Sequence, residues 1–283
     1  MQGIRISEKS LDRFEEWLNE REKERSTIVK YRRDMEVFRE WVPAEMLPGK
    51  KEILEYKKWL LESGRQPVSA NSMLAALNMY LQFAGRPELK VRQYRIQKPV
   101  FCREEKELSR EEYFRLVKAA KRKDDERLTV ILETICGTGI RVSELPFITV
   151  EAAREGSAVI RMKGKIRTVM ITGELRKLLL GYAGREKIKS GPVVRTRSGK
   201  EVDRFTIWKQ MKSLCKDAGV EPGKVFPHNL RHLFARVLYK ITRDIVMVAD
   251  LLGHSSVNTT RIYTVSTGKE YRRYLDRMAL TLI

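Results

Sequence analysis

Histidine and cysteine are both scarce in this chain, three of each in 283 residues. Cys102, Cys136 and Cys215 are far apart, odd in number and in no ligand spacing, which argues against a disulfide framework and against a zinc site. No apolar run approaches the roughly 18 residues that a membrane span needs. The opening MQGIRISEKSLDRFEEWL has neither the apolar core nor the cleavage site of a secretory leader. Low-complexity tracts, internal repeats and carboxylate clusters with metal spacing are missing too. The expectation is a protein of the reducing cytoplasm, with no metal, no other cofactor and no membrane association.

Negative charge is also in short supply, with 57 Lys and Arg against 37 Asp and Glu, a net charge of +20. Residues 1–100 hold 20 basic and 15 acidic side chains and the remainder 37 and 22, so the later part carries +15 of the excess. An imbalance of this size points to a polyanion, most commonly nucleic acid. A generically solvated surface is the alternative.

The first hundred residues read as a helical unit. Leu11, Phe14, Trp17 and Leu18 share one helical face, and after Ser26, a candidate N-cap, Ile28, Tyr31, Met35, Phe38 and Trp41 repeat the pattern. Pro43, Pro48 and Gly49 break the chain before a third stripe (Ile53, Leu54, Trp59, Leu60) and a fourth starting near Ser69 (Leu74, Leu77, Leu81, Ala84). Residues 86–107 lose the period and are rich in Lys and Arg, a linker composition. The expected division is 1–98, a basic linker at 99–107, and 108–283. The second domain opens with a capping box from Ser109 to Glu112, and helical patterns follow at 110–122 and 126–136. Two β-like runs, Ala158 to Met162 and Arg167 to Ile171, flank Lys163-Gly164-Lys165-Ile166, which predicts a tight hairpin. Helices resume at 174–183, 204–218, 228–240, 243–252, 256–263 and 269–279. The fold class is mainly α with a small antiparallel β-sheet, in two domains, one helical and one α+β.

All three histidines lie between 228 and 254. In PHNLRH, His228, Arg231 and His232 stand at i, i+3 and i+4 and share one side of a helix, while Leu230, Phe234, Val237 and Ile241 form the stripe that docks it. A helix start favours phosphate; a capping histidine beside a surface ion-paired arginine is the plainer account. In CGTGIRVSEL, a Gly137-Thr138-Gly139 turn sets Arg141 at a helix start, with Glu144 three residues on to brace it. A helix C-cap followed by an exposed arginine explains that stretch equally well. In LLGHSSVNTTRIYT, Gly253 ends one helix and Ser255 or Ser256 caps the next. Tyr263 there is either a buried aromatic or a reactive one.

Taken in order, GTGIRVSEL, a hairpin lysine, PHNLRH and LLGHSSVNTTRIYT resemble the tyrosine recombinase (phage integrase) family in its simple two-domain, Xer-like form. The resemblance covers the whole chain. It implies a helical core-binding domain at 1–98 and a catalytic domain at 108–283, which together cut and rejoin double-stranded DNA through a 3′-phosphotyrosine. By the same resemblance Tyr263 is the nucleophile, Arg141 and Arg231 are the catalytic arginines, and His228 and His254 are the active-site histidines. Lys163 is the hairpin lysine because it directly precedes a glycine, with Lys165 as its rival. Glu144 and His232 support the site, and Lys30, Arg33, Lys165 and Arg167 are candidate DNA contacts. Assembly as a tetramer on two sites is also implied, with the helix at 268–283 docking in trans. With the first hundred residues taken up by one domain, a simple invertase, dimer resolvase or small-element integrase is expected. Leu233 stands where the family usually has threonine, Val265 follows the Tyr-Thr pair in place of histidine, and KITRDI lacks a glycine; none of these is a catalytic position. A type IB topoisomerase or a telomere resolvase shares the chemistry, and a non-catalytic DNA-binding protein is a third reading. The complete residue set argues against the last.

The reaction needs these residue types. A tyrosine hydroxyl, with an ordinary pKa of about 10, must shed its proton as it attacks phosphorus. Guanidiniums stay protonated and match the phosphate oxygens on which charge develops, without a metal. A lysine reaching in from a hairpin can protonate the leaving 5′-oxygen.

Overall fold

The computed structural model describes residues 3–43, 46–96, 106–162, 164–196, 198–253 and 256–260. Its contacts divide the chain into two units, 1–98 and 99–283. The first contains α1 (Glu8–Glu20), α2 (Arg25–Trp41), α3 (Lys50–Glu62) and α4 (Pro67–Phe83). A Ser7–Ser10 capping box starts α1, and Pro67 starts α4, where a missing N–H loses no helical bond. The predicted stripes close on one core around Leu11, Phe14, Met35, Phe38, Ile53, Leu74 and Leu77.

Some local expectations shift. Glu24, not Ser26, holds the N-cap position of α2, and the Ser26 hydroxyl bonds the Glu24 carboxylate from the first turn. On α3 the buried positions are Ile53, Tyr56 and Leu60, and Leu54 faces solvent. Ala84 follows the end of α4 and is exposed. Residues 86–96 are not free linker. Leu89 and Val91 are buried, and Asn78 and Asn71 on α4 pair their amides with the backbones of Val91 and Tyr94 at 2.7 to 2.9 Å. Two side-chain amides thus do for this strap what a neighbouring strand does in a sheet, which composition does not reveal.

In the second unit α5 (Arg110–Arg122) opens on the predicted box, with Ser109 N–H donating to Glu112 Oε2 at 2.8 Å and Glu112 N–H to Ser109 Oγ at 3.1 Å. Next come α6 (Glu126–Thr138), a 3₁₀ turn at Val142–Phe147 and α7 (Val150–Glu155). The 3₁₀ turn stands where a helix was expected, and Pro146 has no N–H with which to extend it. Helix α7 is too short to register as a period in the sequence. The strands β1 (Ser157–Met162) and β2 (Lys165–Met170) pair antiparallel with Met162 opposite Lys165. Lys165 and Ile166, expected in the turn, therefore belong to the strand. Then follow α8 (Gly173–Arg185), α9 (Arg204–Ser213), α10 (Cys215–Ala218), α11 (Pro227–Thr242), α12 (Ile245–Leu252) and α13 (Val257–Thr260). The single helix expected over 204–218 breaks at Leu214. Of the predicted stripe on α11, Leu230 is buried and Phe234 and Val237 are partly buried against the core beside Leu233 and Ala235, while Ile241 is 76% exposed. The helix expected at 269–279 lies outside the described residues. Among the described residues no helix is long and apolar enough to cross a membrane.

Candidate active site

The first arginine owes its place to a glycine. Helix α6 ends at Gly139, whose φ of +67° suits a residue without a Cβ. A Cβ there would also sit 2.4 Å from the Phe234 ring and 3.1 Å from Leu252. Gly137 and Thr138 are helical, so Gly139 alone makes the expected turn. The chain reverses, buries Ile140, and presents Arg141 at the head of the 3₁₀ turn.

Glu144 anchors that arginine twice. Its carboxylate accepts the Arg141 N–H at 2.7 Å and the Arg141 guanidinium at 2.9 Å. The Arg141 side chain stays 42% exposed while that of Glu144 is 3% exposed. Arg167 donates to the same carboxylate at 2.7 Å, and Arg231 lies 3.9 Å from it. One buried negative charge thus gathers three guanidiniums and leaves a positive surplus. Burial by itself raises the Glu144 pKa, but the Arg141 N–H and the Arg167 and Arg141 charges outweigh it and hold the group below its ordinary value.

The second arginine is enclosed. Pro227 starts α11 with its φ already set for a helix, and Arg231 follows one turn later, 1% exposed. It donates to the Gly139 carbonyl at 2.6 Å and the Leu252 carbonyl at 2.7 Å, joining the ends of α6 and α12. His228, one turn before it, keeps part of its surface in solvent, and its ring centroid lies 4.4 Å from that of His232. Loss of hydration first, then His232, Arg231 and Arg141, push the His228 pKa down to about 4, so its imidazole is neutral at pH 7. On the far side of His232, Glu107 approaches Nδ1 at 3.8 Å and Arg236 Nε at 3.6 Å. Asn229 fastens α11 to the Lys106 carbonyl at 2.8 Å.

A cleft of about 700 Å³ opens beside Arg141 and Glu144, lined also by Lys165, Arg167, Asp250 and Gly253 among others. Gly253, at φ +66°, ends α12, and a Cβ on it would meet Arg167 Cδ at 2.5 Å. Helix α13 begins directly after Ser256. Arg141, Glu144, Arg167, His228, Arg231 and His232 are therefore gathered in one region of the second unit. Lys163, His254 and Tyr263 lie outside the described residues. Lys30 and Arg33 belong to the first unit, where Lys30 pairs with the buried Asp34 and Arg33 is exposed. Among the described residues no three His, Cys, Asp or Glu side chains converge as a metal site. Sequence reasoning missed Glu107, which carries no motif, and the bond from Arg167 to Glu144.

The Phage integrase family signature matches residues 106–270. Over 281 residues the chain is 30% identical to the tyrosine recombinase XerA of Pyrococcus furiosus, covering 95% of this chain and 94% of that protein. Tyrosine recombinase XerD of Vibrio cholerae is 29% identical over 267 residues, covering 84% of this chain and 85% of that one. The crystal structure of XerA recombinase superposes with a TM-score of 0.52 at 26% identity, over 97% of this chain and 99% of that chain. A lambda integrase dimer bound to a core site has the same fold, with a TM-score of 0.74 at 19% identity over 93% and 96% of the two chains.

Proposed function

This chain belongs to the phage integrase family of tyrosine recombinases, which cut and rejoin DNA at specific sites, and from that premise we propose how its residues divide the reaction. Tyr263 Oη attacks the scissile phosphorus and forms a 3′-phosphotyrosine as the 5′-oxygen leaves. Lys163 gives that oxygen its proton. His228 serves Tyr263 as hydrogen-bond donor or proton acceptor, and His254 donates to the phosphate. Attack by a 5′-hydroxyl on the phosphotyrosine reverses the step and joins the new strand. One phosphodiester is exchanged for another at each stage, so no nucleotide is hydrolysed.

The observation that carries this reading is the Glu144 cluster. Arg141 offers one side of its guanidinium to the cleft while the other is braced on a buried carboxylate. Donors fixed in advance on a site with surplus positive charge stabilise a phosphoryl transition state without reorganising during the reaction. Relatives in this fold include XerH bound to its difH substrate and a lambda integrase tetramer on a Holliday junction. By extension, this chain acts on double-stranded DNA in the cytoplasm as a tetramer on two sites. The first unit is its core-binding domain, and residues 268–283 dock on a neighbouring protomer.

The test is covalent capture from a pool of nicked random-sequence duplexes. Wild type is expected to leave an SDS-resistant adduct on Tyr263, while Tyr263→Phe binds the same duplexes and leaves none. An adduct mapping to Tyr271 or Tyr274 overturns the nucleophile assignment, and no adduct on any duplex overturns strand transfer.

A further inference from the structure

Arg167 stands on β2, three residues past Gly164, with 12% of its side chain exposed. One terminal nitrogen donates to Glu144 Oε2 at 2.7 Å, and the other donates to the Leu251 carbonyl at the end of α12. Its aliphatic stem fills the space over Gly253 where a Cβ would sit. Three segments meet on this one guanidinium: the strand that follows Lys163, the carboxylate that holds Arg141, and the helix end that precedes His254. Glu144 and Leu251 are 23 and 84 residues away in sequence, so nothing local draws them together.

Resting on the assignment above, we propose that Arg167 is a positioning residue for strand cleavage, fixing Arg141 through Glu144 and the end of α12 through the Leu251 carbonyl, and that it is not a DNA contact. Both terminal nitrogens face protein acceptors. Without it Glu144 loses a charged donor, and the carboxylate that aims Arg141 keeps only the Arg141 donors themselves and Arg231 at 3.9 Å. The rotamers of a reacting group are set by the groups packed and bonded behind it. A displacement of one ångström at a reacting centre slows a reaction by about 100-fold.

The experiment uses the full chain, and as probe the nicked duplexes that wild type captures covalently from the random pool, under single-turnover conditions at saturating protein. Arg167→Gln is expected to cleave about 100-fold more slowly, with affinity and its salt dependence unchanged. Combined with Glu144→Gln it is expected to be no slower than the slower single variant, because the two side chains act as one unit. Arg167→Lys keeps the charge but offers one donor atom to two separated acceptors, and is expected to fall between; it decides the matter if Arg167→Gln does not fold. The proposal is overturned by weaker binding with a salt slope reduced by about one, the mark of a lost phosphate contact. Multiplicative effects of the two substitutions overturn it too, as does a wild-type rate in either Arg167 variant. Rescue of Arg167→Gln by sulfur at the 5′-bridging position also overturns it, because the residue would then act through Lys163. A wild-type chain that captures no duplex sinks the strand-transfer assignment and this proposal together, whereas a capturing wild type with an unaffected Arg167→Gln sinks this proposal alone.

Discussion

Arg231→Ala removes a side chain that is 1% exposed and that donates to the Gly139 carbonyl at 2.6 Å and the Leu252 carbonyl at 2.7 Å. Each stranded carbonyl costs about 1–3 kcal/mol. Glu144 also loses a cation 3.9 Å away, and the vacated volume is a cavity. Recovering the desolvation of the guanidinium offsets part of this, which leaves about 3–5 kcal/mol for breaking a buried charged group out of its setting. In a unit of this size each kcal/mol moves Tm by about 2–4 °C, so a drop of about 10 °C is expected. Arg141→Ala is the control. Its side chain is 42% exposed, and Glu144 keeps the Arg141 N–H and Arg167 as donors. The lost pair is then worth at most about 1 kcal/mol after solvent screening. Both variants are expected to lose cleavage by at least about 100-fold, but only Arg231→Ala to lose stability. Calorimetry on the full chain, beside the capture assay, separates the two. Equal melting temperatures, or an Arg231→Ala transition within about 2 °C of wild type, would refute the division into an enclosed and a presented arginine.

Gly139→Ala must place a Cβ 2.4 Å from the Phe234 ring at φ +67°, and a loss of about 2–3 kcal/mol is expected in urea unfolding; an unchanged midpoint would show that Phe234 moves aside freely. His228 has a folded pKa of about 4 against an ordinary 6.5, so the unfolded chain binds the extra proton first. Its contribution to stability is complete above pH 6.5 and drains away as the pH falls toward 4. His228→Gln is expected to flatten that part of the stability profile, and an identical profile would contradict the depressed pKa. Deleting residues 268–283 is expected to leave binding to a single DNA site intact and abolish assembly on two, read by sedimentation on duplexes carrying one or two sites; tetramers that survive the deletion reject docking in trans.

Legibility from sequence tracked the range of the interactions. The apolar stripes of α1, α2, α5 and α6 and the Ser109–Glu112 box are encoded within a few residues and lie where the sequence placed them, and the hairpin forms as expected with its second strand starting two residues early, at Lys165. Elements whose signal is short or shared were misread. Helix α7 spans six residues, the 142–147 turn looks helical by composition, and Leu54 and Tyr56 are equally apolar candidates two residues apart. Ile241 continues a helical stripe past the point where anything packs against it.

The candidate residues stand along the chain as Arg141, Lys163, His228, Arg231, His254 and Tyr263, each a residue type that phosphoryl transfer requires, and of these the structure describes Arg141, His228 and Arg231. That Glu144 can brace Arg141 follows from a spacing of three. That the same carboxylate also holds Arg167, that Arg231 is shut between two helix ends, and that Asn71 and Asn78 strap residues 91–94 to α4 do not follow from any spacing. Those bonds join groups whose separation in sequence carries no period, and burial alone makes them strong. They exist only once the hydrophobic core has brought the segments together and removed the water that would otherwise take their place.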